Sequence, residues 1–238
     1  MGGVATEFKG AVAIVTFDNA AHRNAIDDGV AEGLAAVAAA LKARADIGAL
    51  VLRGAGQDAF CAGIDIKFVE QFAERAAGFA ALDRKIEAFA SDMATMPFPT
   101  IAMLRANCFG GGVHLAAAAD FRFGDDALRL AVPAVRNRLF YPISALERLI
   151  LIVGETRTKR LVYEGETVDA ATLLEWGFLD RVVPGDELER STLAYAERLA
   201  SQPRDVVTAY QEIFRALRRG EGARARELRA QAKARAAK

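Results

Sequence analysis

The chain has 238 residues, 53% of them hydrophobic, with 31 basic and 31 acidic side chains and a formal charge of zero. That content supports a large core, as one compact domain with a helical appendage or as two small domains, and it excludes a disordered chain. No apolar run approaches the ~18 residues that span a bilayer. Met1 to Glu7 lack the basic and apolar regions of a signal peptide, so the expected location is cytoplasmic.

Two cysteines, Cys61 and Cys108, make neither a disulfide framework nor a metal-ligand spacing, and a reducing compartment without a structural metal is expected. Arg215 to Lys238 carry nine Lys or Arg against two Glu, leaving the rest of the chain correspondingly acidic. This alanine-rich basic tail reads first as a solvated helix face, then as a clamp for phosphates. Without interleaved aromatics, nucleic acid is disfavoured as a partner.

In chain order, Val12 to Phe17 reads as a strand stopped by Asp18-Asn19. A helix capped by Asp27 follows, with Val30, Leu34, Val37 and Leu41 on one stripe. Leu50 to Leu52 is a short buried strand, and the segment Phe60 to Lys67 places Gly63 just before a helix start. Phe68 to Met96 has helical spacing ended by Pro97 and Pro99.

Ile101 to Leu104 is then a strand running into Gly110-Gly111-Gly112, with a helix beginning near Gly112. Glycines there let the backbone approach a bound group, and the helix start adds unpaired N–H groups and the positive end of its dipole, which is how an anion or oxyanion site is built. Phe121 to Phe123 and Leu128 to Leu130 read as strands, and Ser144 to Val153 as a helix closed by Gly154. Asp169 caps a helix ending at Gly177, and Asp180 to Val183 is a strand. Beyond Pro184 only helices are expected, over 187–200 and 205–219 and then the tail, giving an α/β core over 1–184 and a helical region over 185–238.

Five motifs in this order carry a family resemblance: Asn24-Ala25-Ile26, Phe60 to Lys67, Phe109 to His114, Ala119-Asp120-Phe121-Arg122, and Leu161 to Glu166 leading into 171–183. Together they resemble the crotonase superfamily, the enoyl-CoA hydratase/isomerase family, over nearly the whole chain. The resemblance implies an α/β fold of spiralling ββα turns with a C-terminal helical oligomerisation region, assembled as a homotrimer or a dimer of trimers. It implies that the amides of Ile64 and Gly111 form an oxyanion hole for an acyl-CoA thioester. Ala62, Asp65, Ile66 and Lys67 would lie along the CoA, and Arg23 near its nucleotide. Coenzyme A would enter as part of the substrate, with no permanently bound cofactor. The chain departs from the family in ending at Ala230 to Lys238 without the usual final aromatic and basic segment.

Hydratases of this family use two glutamates, one just after the glycine triplet and one twenty residues on. This chain has His114 and Ala134 at those positions. His114, in the first turn of a helix, is expected to be pushed toward its neutral form, serving as a base or as a hydrogen-bonded filler of the vacated position. Tyr141 is a further candidate proton donor and Glu147 a candidate acid or base, with packing and a salt bridge to Arg148 as the plainer readings. His22 reads as a surface residue, Asp120 as structural, Asp125-Asp126 as a solvated turn, Trp176 as core, and both cysteines as small-residue replacements.

Three functions remain: an enoyl-CoA hydratase or isomerase; a carbon–carbon hydrolase or decarboxylase using His114; and a non-catalytic CoA-binding or RNA-binding relative.

Overall fold

The structure is a computed structural model describing residues 2–236, so the ends of the two terminal segments, Met1 and Ala237-Lys238, lie outside the described residues. Along the chain the elements are β1 (Gly3–Lys9), β2 (Val12–Asp18), α1 (Asp28–Lys42), β3 (Ala49–Gly54), α2 (Ile66–Val69), α3 (Arg75–Met93), β4 (Thr100–Leu104), β5 (Asn107–Phe109) and α4 (Gly111–Ala118). They continue with β6 (Phe121–Asp125), β7 (Arg129–Ala131), α5 (Ile143–Val153), α6 (Glu155–Tyr163), β8 (Val168–Asp169), α7 (Ala170–Glu175), β9 (Arg181–Val183), α8 (Leu188–Ala200), α9 (Arg204–Arg218) and α10 (Gly222–Ala236).

A six-stranded sheet in the order β1-β2-β3-β4-β6-β9 is parallel throughout except for the antiparallel β1–β2 pair. Parallel strands buried on both faces require apolar residues at successive positions, and the strands supply them. Ala13, Val15, Phe17, Leu50, Leu52, Ala102 and Leu104 face the core shared with α1, α3 and α4. Val12, Ile14, Val51, Ile101, Met103 and Phe123 face the other way, onto Leu188 and Ala196 of α8. The sheet's packing therefore continues past Pro184.

The mixed α/β architecture is the one expected, a spiral in which the chain passes from the large sheet to a small three-stranded sheet and then into a helix. β4, β5 and α4 form one such turn, and β6, β7 and α5 the next; β5 pairs parallel with β7, and β7 antiparallel with β8. The expectation that a strand runs directly into the glycine triplet is corrected here. Ala106, at φ +52, turns the chain out of the first sheet, its N–H donating to the Asp125 carboxylate at 3.1 Å. Asn107 to Phe109 then make a separate strand in the second sheet, and the helix begins one residue early, at Gly111.

Other differences are local. The helical stretch read over Phe68 to Met96 is two helices, because i to i+3 closures from Gln71 to Phe68 and from Phe72 to Val69 end α2. Asp125 is a buried strand residue rather than part of a solvated turn, held by the Ala106 amide. Strand β1 and helix α6 are additions to the elements expected from the sequence. Asp27 caps α1 as expected, accepting from Val30 N at 2.9 Å, and it also receives Gly2 N at 2.7 Å, which ties down the chain's start. Among the described residues no helix is long and apolar enough to cross a membrane.

Candidate active site

Two turns far apart in sequence are clamped together by backbone pairing. Cys61 bridges Cys108 in parallel, with Cys61 N donating to Asn107 O at 3.1 Å and Phe109 N to Cys61 O at 2.8 Å. The first turn is held from the other side by Ile26, whose N–H donates to Gly63 O at 2.7 Å while its carbonyl accepts from Asp65 N at 2.9 Å. Gly63 sits at φ +98, and a Cβ there would stand 3.2 Å from Phe109 O and 3.7 Å from Gly111 N. A side chain at Gly112 would stand 2.6 Å from Cys61 Cβ, so the contact between α4 and the first turn requires glycine. Both cysteines fill this seam. Burial pushes the Cys61 thiol up to about 12 and Cys108 well above its ordinary value, so neither supplies a thiolate at neutral pH.

The amides of Ala62, Asp65, Phe109 and Gly110 donate to backbone carbonyls, and that of Gly63 to Cys61 Sγ, whereas among the described residues those of Ile64 and Gly111 have no protein acceptor. Gly111 opens α4, so its N–H has no carbonyl a turn below it. Both residues line one cavity of 540 Å³, whose walls are mainly apolar: Ile66, Phe79, Phe109, Val132, Leu139 and Phe140. The arrangement presents two free donors, one at a helix start, to whatever enters an apolar chamber.

The other sequence-derived residues divide sharply. Ala62 and Ile66 line the cavity with Ile64, Gly111, His114 and Tyr141. Asp65 is buried and occupied: it caps α2 by accepting from Lys67 N at 2.9 Å and Phe68 N at 3.3 Å, and it pairs with His22 Nδ1 at 2.7 Å. His22 is exposed as expected, yet it locks the turn. Arg23, at φ +51, and Lys67 are exposed beside the turn and do not line the cavity; Arg23 contributes its carbonyl to Ala62 N at 3.0 Å.

Tyr141 donates its phenol to Gly110 O at 2.8 Å, and burial first of all raises its pKa well above the ordinary value, so it holds the glycine turn rather than releasing a proton. Glu147 is exposed and lies outside the cavity, and no ion pair joins it to Arg148. It sits one residue off the inward face of α5, from which Ser144 and Arg148, four apart, reach His114.

His114 is 1% exposed. Its Nε2 lies 3.1 Å from Arg148 Nη1, 3.3 Å from Ser144 Oγ and 3.3 Å from Glu87 Oε2, and the Ser144 hydroxyl donates to Glu87. Burial lowers the imidazole to about 4, with Glu87 opposing the shift and Arg148 adding to it. An arginine donates only, so the nitrogen facing it accepts and the ring is neutral.

A depressed histidine means that folding excludes a proton which the unfolded chain binds below pH ~6.5. Stability is then complete above that pH and falls on acidification toward pH 4. The expected slope is about 1.4 kcal/mol per pH unit in this window. Urea unfolding at pH 7, 6 and 5 should show this loss, and His114→Gln should remove the histidine's share of it. An equal acid slope in both proteins would contradict the assignment.

Sequence reasoning missed Asp83, Glu87, Ser144 and Arg148. Only the four-residue spacing of Asp83 and Glu87 on one helix face hinted at a shared role. Asp120 is structural as expected, accepting from Thr100 N and Oγ1 at 2.9 and 3.0 Å and from Gln211 Nε2 at 3.0 Å. Trp176 is core. Among the described residues no group of three His, Cys, Asp or Glu is placed to hold a metal ion.

The Enoyl-CoA hydratase/isomerase family model matches residues 7–237. The chain belongs to that family. It is similar to the Mycobacterium avium protein named probable enoyl-CoA hydratase echA17, 31% identical over 78% of this chain and 71% of the relative. It is also similar to the mevalonyl-coenzyme A hydratase SIDH of Beauveria bassiana, 33% identical over 82% and 72%. The crystal structure of enoyl-CoA hydratase from Bacillus anthracis superposes with a TM-score of 0.91, covering 97% of this chain and 89% of that one at 24% identity, which establishes the fold. Membership of the enoyl-CoA hydratase/isomerase family, and with it of the crotonase superfamily, makes this an enzyme family whose members act on acyl-CoA.

Proposed function

We propose that this family member binds an acyl-CoA thioester with its carbonyl oxygen between the Ile64 and Gly111 amides and stabilises the enolate-like charge that develops there. The observation that carries this reading is the pair of unpartnered N–H groups on one apolar cavity. Preorganised donors in a site of low polarity are worth most where charge appears only during reaction, about 2.7–4 kcal/mol per donor. The apolar walls suit the acyl chain. Outside the cavity, the exposed Arg23 and Lys67 flank the turn whose Ala62 and Ile66 line it, a placement that suits the nucleotide phosphates. Asp65 supports the same stretch by capping. CoA enters as part of the substrate in this reading, and no cofactor is resident.

The C-terminal region supports self-association. On α9, Val206, Tyr210, Phe214 and Leu217 form an exposed apolar stripe at helical spacing. A homotrimer or a dimer of trimers would cover it.

Calorimetric titration with crotonyl-CoA and acetoacetyl-CoA tests the substrate class: saturable binding is expected, and no affinity for any acyl-CoA would overturn it. The mass in solution should be three or six times that of the 25.5 kDa chain, and a monomer would refute the assembly.

A further inference from the structure

A thioester held by two amides needs a group that moves protons, and the cavity narrows the choice. Its titratable lining residues are Asp83, His114, Arg138 and Tyr141. Arg138 carries no proton that it can surrender at neutral pH. Tyr141 commits its O–H to the Gly110 carbonyl, and His114 Nε2 is surrounded by Arg148, Ser144 and Glu87. Glu87 itself is engaged with Ser144 and His114 and does not line the cavity.

Asp83 differs from all of these. It lies one turn before Glu87 on α3, lines the cavity beside Phe79 and Ala80, and among the described residues has no hydrogen-bond or ion-pair partner. Burial first, and then the nearby Glu87 carboxylate, raise its pKa above the ordinary carboxylate value, which strengthens it as a base.

We propose that Asp83 is the acid–base residue of this site and that the reaction it serves is migration of a carbon–carbon double bond in an enoyl-CoA. This rests on the acyl-CoA reading given above. With the thioester oxygen between Ile64 and Gly111, an Asp83 oxygen bonds to the proton on C2 of a 3-enoyl thioester as that C–H bond breaks. The electron pair passes through the carbonyl carbon onto oxygen, giving a dienolate. Asp83 then delivers the same proton to C4, the C2–C3 double bond forms, the carbonyl is restored and the carboxylate is regenerated. No water, oxidant or other reactant is consumed. Hydration would ask for an activated water and a separate proton donor. Among the described residues this cavity offers one uncommitted acid–base group, and one suffices for a proton shuttle.

The test uses but-3-enoyl-CoA, with formation of the conjugated thioester followed by absorbance, and butyryl-CoA as an unreactive binding probe. Wild-type protein should bind butyryl-CoA and shift the double bond. Asp83→Asn should lower kcat by about 10²-fold or more, with butyryl-CoA affinity and KM nearly unchanged. The wild-type kcat should rise with pH through a midpoint above that of an ordinary carboxylate, since the base must be ionised, and the residual rate of the Asp83→Asn variant should lack this limb. Burial and Glu87 on the same helix raise that midpoint; the other titratable groups facing the cavity are His114 from α4 and Arg138 and Tyr141 from the segment before α5, with Arg148 of α5 behind His114. Wild-type protein that binds butyryl-CoA without shifting the double bond overturns the proposal alone, as does Asp83→Asn retaining its rate within threefold. Failure of wild-type protein to bind any acyl-CoA overturns the substrate reading and this proposal with it.

Discussion

Gly111→Pro should lower kcat on a reactive acyl-CoA by about 10²–10³-fold, the effect of losing one oxyanion donor, about 2.7–4 kcal/mol. Proline is accommodated at the first residue of a helix, where its missing N–H interrupts no helical hydrogen bond. Gly110 before it has no Cβ to meet the ring. The change therefore deletes the donor while leaving α4 its start. Gly111→Ala is the companion variant, since it keeps the N–H. Its Cβ would stand 3.3 Å from Ile26 Cδ1 and 3.5 Å from Ile86 Cδ1, the ends of flexible side chains that can give way. Steady-state kinetics beside thermal unfolding separates the two effects. A folded proline variant at full rate would show that this amide does not hold the developing charge.

Arg122→Met should cost about 3 kcal/mol or more in urea unfolding. The residue is 6% exposed, and its guanidinium donates to Phe178 O at 2.6 Å and Ala119 O at 2.7 Å, with Asp180 at 3.8 Å. Each hydrogen bond from a charged group contributes about 1.5–3 kcal/mol, and truncation leaves both carbonyls buried without a donor. Arg122→Lys should recover only part of the loss, because a single ammonium cannot reproduce the fork that spans two carbonyls. A methionine variant as stable as wild type would mean that water or backbone shifts satisfy these groups. The contact joins the loop after α4 to the segment before β9, so its loss should loosen the helix that carries Gly111 and His114.

Chemistry written into consecutive residues was legible in the sequence. The glycines and the Asp27 and Asp169 caps act within a few residues of themselves, so both amide-presenting turns and most helix limits could be read directly. Strands β5 and β8, of three and two residues, are too short to show a period, and their pairing is decided by distant neighbours. β1 is a largely exposed edge strand whose apolar residues are few, so it gave no strong alternation.

The site's carboxylates were harder still. Glu147 lies near the expected machinery in sequence, but its place on α5 turns it outward, whereas Glu87 reaches His114 from a helix 27 residues earlier in the chain. Beyond their four-residue spacing, nothing local in 75–93 sets Asp83 and Glu87 apart from Asp92 on the same helix. Their role depends on α3 crossing α4, a tertiary fact.

The parallel bridge between Cys61 and Cys108 has a consequence for how activity can arise. The two donors belong to segments whose closure requires β3, β4 and the start of the second sheet to be in register. A nascent chain that stops short of Asn107 therefore holds only one of the two amides, and a nick in 65–106 would leave their geometry to noncovalent pairing alone. Presentation of the two amides on one cavity is in this sense a late property of folding, since it waits on the ordering of the long segment between the two turns. Partly assembled forms can bury apolar surface, but they cannot present both donors to a carbonyl.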